Sequence, residues 1–147
     1  MRASGFNNAR KRSKQRVRAL DVHAANAISE TVDEVHQAGV ENIKEMTQKR
    51  SGRLLRFYKK ATRGKGQGFR GLVGYLTKTA RRKAFHARFI HDGTKTVEAR
   101  PYHDNAVLEH EGKHAGRMRA ALAGALSNKA APSALARTGG GSERDLE

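Results

Sequence analysis

The residues best equipped for chemistry in this chain are His110-Glu111-Gly112-Lys113-His114, a literal H-E-x-x-H. On a helix, histidines four apart share a face and can offer two nitrogens to zinc, while the glutamate between them can activate a metal-bound water. The surroundings are poor for such a centre. Lys113 places a cation beside any metal, Gly112 loosens the helix, and Gly116 and Arg117 follow where an apolar residue is wanted. No histidine follows His114, the next acid is Glu143, and His103 is the remaining candidate for a third ligand. Zinc hydrolysis through His110 and His114 therefore stands as an alternative, and a chance five-letter match or an adventitious metal surface is the plainer expectation.

A second chemistry is suggested by Arg63-Gly64-Lys65-Gly66-Gln67-Gly68, a basic glycine loop. A phosphate loop of the G-x-x-x-x-G-K-[ST] kind needs Ser or Thr after the lysine and a helix to follow, because helix amides converge on the phosphate. Here Gly66 follows Lys65 and a strand is predicted next, so nucleotide hydrolysis is not expected. The chain has no cysteine, which excludes disulfides, thiolate metal sites and cysteine nucleophiles. The expectation is a protein that is not an enzyme and carries no cofactor.

Charge is the stronger signal. The formal net charge is +16 over 147 residues, and no acid occurs between Glu45 and Asp92. That interval holds Lys49, Arg50, Arg53, Arg56, Lys59, Lys60, Arg63, Lys65, Arg70, Lys78, Arg81, Arg82, Lys83 and Arg88. A polyanion or an acidic protein ring is expected to face it. Arg53, Arg56, Lys59, Lys60, Arg63 and Lys65 are the residues expected to meet phosphates or acidic neighbours, and a solvated face that keeps the chain soluble is the plainer alternative. Phe57, Tyr58, Phe69 and Tyr75 interleave with these cations but are expected in the core, and no zinc-finger, recognition-helix or RNA-binding aromatic pattern is present. Non-specific nucleic-acid binding is thus a further alternative.

The elements that must position these residues follow from periodicity. Val17, Leu20, Ala24, Ile28, Val32, Val35, Ile43 and Met46 recur at helical spacing and predict one long helix from about Ser13 to Gln48. Gly39 lies on that stripe; a tolerated glycine costing about 1 kcal/mol is the plainer reading, a kink or the close approach of another chain the alternatives. Leu54-Leu55-Arg56-Phe57-Tyr58 favours a strand, Phe69 to Thr77 its hairpin return, and Phe89-Ile90 a further strand, with Lys78 to Lys83 a short helix or a loop between. From His103 or Asp104 to about Ser127 the spacing predicts a second helix. Residues 1–12 read as a basic arm, residues 13–127 as a single domain, and residues 128–147, with Pro132 and Gly139-Gly140-Gly141-Ser142, as a flexible tail. Only 5% of residues are aromatic and 37% hydrophobic, so a thin, largely aliphatic core is expected. The basic amino-terminal segment lacks the apolar core of a signal peptide, and no apolar run reaches membrane-spanning length, so neither secretion by that route nor a membrane partner is expected.

Three short motifs stand in order along this frame: Ser51-Gly52-Arg53-Leu54, then Phe89-Ile90-His91-Asp92-Gly93-Thr94, then Ala99-Arg100-Pro101-Tyr102. Together they resemble the small neck, or tail-completion, proteins of long-tailed bacteriophages. That family carries a long first helix, a "TGxLRxS"-like step into a sheet, an aromatic-rich turn ending in Gly-Thr, and an "A-x-P-F/Y" step into the last helix. His91 and Asp92 stand where the family's acid is usual, and Tyr102 stands for the commoner Phe. The resemblance implies an α+β domain, a long N-terminal helix and a C-terminal helix packed on a small antiparallel sheet. It also implies a structural virion protein at the head-tail junction, whether neck, tail-completion or tail-terminator ring, that joins tail to head and leaves a channel for DNA. Its partners would be a homo-oligomeric ring of six or twelve copies, the head connector or stopper, the tail terminator or tail tube protein, and the passing phage DNA. Phe89, Asp92, Gly93, Thr94, Arg100, Pro101 and Tyr102 would lie at subunit contacts.

Overall fold

The structure, a computed structural model, describes residues 4–47, 52–65 and 68–127. Helix α1 runs over Ser4–Met46 and is followed by α2 (Arg53–Phe57), strands β1 (Lys59–Arg63) and β2 (Arg70–Gly74), then α3 (Lys78–Lys83), α4 (His86–Asp92) and α5 (Tyr102–Leu126). The expected α+β arrangement is present: the long first helix and the last helix pack with a two-stranded antiparallel sheet. The strands pair from Lys59 with Gly74 to Arg63 with Arg70. Residues 128–147, read as a tail, and Gln48 and Ser51 lie outside the described residues.

Helix α5 lies antiparallel along α1. Asn42 Nδ2 donates to the Tyr102 carbonyl at 3.1 Å at one end, Glu34 and Thr31 face His110 and His114 in the middle, and Gly124 sits beside His23 at the other. The seam is narrow because alanine dominates it: Ala25, Ala38, Ala106, Ala121 and Ala125 are all buried. Small side chains at a helix contact let the two backbones approach closely. The hairpin lies across the same helix, with Gly71 against Val32 and Ile28 and Lys60 Nζ 2.8 Å from Asp33.

At the other end of α1, Ile43, Leu54, Tyr58, Ala84, Ala87 and Tyr102 form the main core, with Val40, Met46, Val73, Tyr75 and Ile90 packed on it. As expected from composition, most buried apolar residues are aliphatic, alanine above all, but the largest fully buried side chains are Tyr58, Tyr102 and Ile43. Tyr58 stacks on His36 at 5.6 Å and meets Tyr75 and Tyr102 edge-on at 5.8 and 6.3 Å. Each phenol finds a partner, as buried hydroxyls must. Tyr58 shares a 2.8 Å hydrogen bond with His103 Nδ1, Tyr75 donates to the Leu54 carbonyl, and Tyr102 donates to the Ala87 carbonyl.

Three expectations are corrected. Leu54 to Phe57 is not strand but helix α2, because a helical turn puts Leu54 into the core and leaves Arg53 and Arg56 outside; the strand starts only at Lys59. Phe89-Ile90 is not strand either. In α4, Ala87, Ile90 and His91 fall on one face against Tyr102, which helical spacing permits and alternation does not, and Phe89 is left 53% exposed. Helix α1 starts at Ser4 instead of about Ser13, since backbone hydrogen bonding continues beyond the end of the apolar stripe. Gly39 marks a close approach, though of this chain's own Tyr58: a Cβ there would lie 2.7 Å from the ring Cζ.

Candidate functional site

Three places carry the residues singled out from sequence, and the fold treats them differently. His110 and His114 do share a face of α5, but that face is turned onto α1. His110 is buried, with Nδ1 3.0 Å from Glu34 Oε2, in a close approach that is not aligned as a hydrogen bond. Thr31 donates its hydroxyl to the Ala27 carbonyl, so His114 Nδ1 donates to Thr31 Oγ1, at 3.0 Å. Arg117 closes the cluster, bonding Glu34 and lying 3.4 Å from Glu30. Burial pushes the Glu34 carboxyl up, but the Arg117 hydrogen bond and charge, with His110 and Lys113 nearby, outweigh it and hold the group below its ordinary value. Glu34 escaped the sequence reading, since nothing local connects it to a motif in α5. His103, considered as a third ligand, is instead held by Tyr58, and Glu111 is exposed. Among the described residues no three potential ligands converge on a metal position. The motif's histidines serve the α1–α5 seam.

The second place is the path from α4 to α5. Gly93 has φ 77°, and a Cβ on it would meet the Ala99 nitrogen at 2.8 Å, so the turn is closed to larger residues. Thr94 N donates to the Val97 carbonyl and Arg100 N to the Ile90 carbonyl, which pins both ends of the loop. Arg100 Nη1 donates to the Met46 carbonyl at 2.7 Å, placing a cation on the last turn of α1 where the helix dipole is negative. Residues 94–99 between these anchors are exposed. Asp92 is held below the usual carboxylate range by its hydrogen bond with His91, which with help from Arg88 outweighs the opposing effect of burial. Of the residues expected at a subunit contact, Phe89, Asp92 and Thr94 are exposed, Gly93, Arg100 and Pro101 half-buried and already engaged at the loop's base. Tyr102 is a correction: at 2% exposed its ring belongs to the core and offers no side-chain surface to a neighbour.

The third place is the acid-free face. Arg53 and Arg56 of α2 and Arg82 and Lys83 of α3 surround a hollow of about 360 Å³ whose floor includes Phe57 and Phe85. Arg56 and Lys83 each stand 5.8 Å from the Phe57 ring centre, so one aromatic ring is shared by two cations. Among the described residues none of these four forms an ion pair. Arg82, Lys83 and the exposed Phe85 were not among the expected contact residues; they join Arg53 and Arg56 only because α3 folds back beside α2. The hairpin cations are divided among themselves. Alternate strand residues point to opposite faces, and Lys60 is held by Asp33, whereas Lys59, Arg63 and Lys65 are exposed without such a tie.

Among the described residues no helix is long and apolar enough to cross a membrane. No protein-family model, no curated protein and no solved structure matches this chain.

Proposed function

We propose that this chain is a structural, non-enzymatic component of a long-tailed phage virion, a ring-forming neck, tail-completion or tail-terminator protein that joins tail to head around a DNA channel. The observation that carries the reading is the loop at residues 94–99: it is exposed, yet fixed at both ends by Gly93, by Arg100 N on Ile90 and by the Arg100 side chain on the end of α1. A loop held this way loses little further freedom on docking, which favours many weak contacts repeated around a symmetric ring. The loop belongs to the same stretch whose Gly-Thr and Arg-Pro-Tyr residues carry the likeness to that family. Phe89, Asp92 and Thr94 then supply the exposed part of the subunit contact.

In this reading the ring holds six or twelve copies and meets the head connector or stopper on one side and the tail terminator or tail tube on the other. The α2–α3 hollow faces either an acidic adjoining ring or the passing DNA. Native mass spectrometry and negative-stain imaging across a concentration range, alone and with purified connector and tail particles, test the proposal. Closed rings, or stoichiometric capture on either particle that is lost in Phe89→Ala/Thr94→Arg, are the expected result. A monomer at every concentration that neither particle retains overturns it.

A further inference from the structure

The part of α1 that no sequence motif claimed is its first four turns. Residues 5–18 are exposed throughout, and the described contact with α5 ends near His23 and Gly124. At 1.5 Å per residue this leaves a helical arm of roughly 20 Å with no described partner. It carries Arg10, Lys11, Arg12, Lys14, Arg16 and Arg18, and no acid occurs before Asp21.

At about 100° per residue these cations fall into two rows. Arg10, Lys14 and Arg18, with Lys11 beside them, line one side; Arg12 and Arg16 line nearly the opposite side. Midway between the rows, on one face, stand the amides of Asn8 and Gln15, one above the other. Like charges four apart on a helix repel one another, and among the described residues none of the six is relieved by an ion pair. The arrangement is complementary to two rows of negative charge on either side of a channel wide enough for a helix. The major groove of a nucleic-acid duplex, about 12 Å across and walled by phosphates, has that form.

We propose that the α1 arm is a duplex-binding helix that seats its Asn8–Gln15 face toward the groove floor and places its two cation rows on the opposite phosphate walls. The binding is dominated by phosphate contacts and is therefore tolerant of sequence. It stands on the arm alone and does not depend on ring formation.

Fluorescence anisotropy with a labelled 24-base-pair duplex of random sequence, titrated with the full chain from 50 to 300 mM salt, provides the test. Each lost phosphate contact lowers the salt slope by about 0.9. The variant Arg10→Gln/Arg12→Gln/Lys14→Gln/Arg16→Gln/Arg18→Gln is expected to bind at least tenfold more weakly with a slope reduced by about 4.5. Its fold and ring state, read by circular dichroism and native mass, should stay intact because these side chains are exposed. The Lys44→Gln/Arg119→Gln variant, which removes exposed cations outside both the arm and the hollow, is expected to bind within threefold of the parent. Unchanged duplex affinity in the arm variant overturns the proposal. So does an equal loss in the Lys44→Gln/Arg119→Gln variant, or equal affinity of the parent for polyglutamate or for anionic vesicles.

Discussion

At the scale of single residues, two groups couple the fold to pH: His103 against the tyrosine core and Glu34 beside Arg117. His103 is held below the ordinary histidine value of 6.5 by burial against the tyrosine core, opposed by Asp104 and reinforced by His91. A histidine whose folded value is depressed favours its neutral form in the native state, so its contribution is complete above 6.5 and shrinks as pH falls through that value. His103→Gln, which can still bond the Tyr58 hydroxyl, should flatten the fall in thermal midpoint between pH 7.5 and 5.5; an unchanged slope in a melting series would sink this account. Glu34 has the opposite chemistry and the same direction. Its depressed carboxyl stabilises the fold above the ordinary value of 4.5 and loses that contribution as pH falls through the lower, folded value. Glu34→Gln should therefore lower the midpoint at neutral pH and make the acid limb shallower, with Arg117 left without its strongest partner.

At the scale of elements, the local signals placed the two long helices and the hairpin, although Val17 of the expected α1 stripe is 46% exposed. The helical spacing of Ile28, Val32, Val35 and Ile43 foretold the core face of α1, and the glycine loop foretold the β1–β2 hairpin. They failed for Leu54 to Phe57 and for Phe89-Ile90. Both are short apolar runs of aromatic and branched residues, for which strand and helix differ only in which neighbours are already in place. Gly39 shows the same dependence on packing. Adding a methyl group there drives it into the Tyr58 ring, which His36, Tyr75, Tyr102 and His103 hold from the other sides. Gly39→Ala is expected to destabilise by about 1–3 kcal/mol despite the helix-propensity gain, whereas Gly112→Ala, with open space around it, should stabilise by up to about 1 kcal/mol. Chemical unfolding of the two variants side by side checks this, and equal midpoints would contradict it.

At the scale of the whole molecule, two positive regions are separated along α1: the arm at its start and the α2–α3 hollow beyond its end. In the two proposals above they would do different work, duplex binding for the arm and contact with an acidic ring or with DNA for the hollow. The charge imbalance, the acid-free interval, the two long helices and the hairpin were determined by the sequence itself, because composition and periodicity act between neighbours a few residues apart. Only the tertiary structure decided that the H-E-x-x-H face meets Glu34 and Thr31, with Thr31 and His114 83 residues apart in the chain. It alone decided that Tyr102 enters the core, that Arg100 closes the end of α1, and that Arg82 and Lys83 join Arg53 and Arg56. The physical reason is that spacing specifies which residues share a face, whereas the partner of that face is set by how the helices and the hairpin bury their apolar sides together.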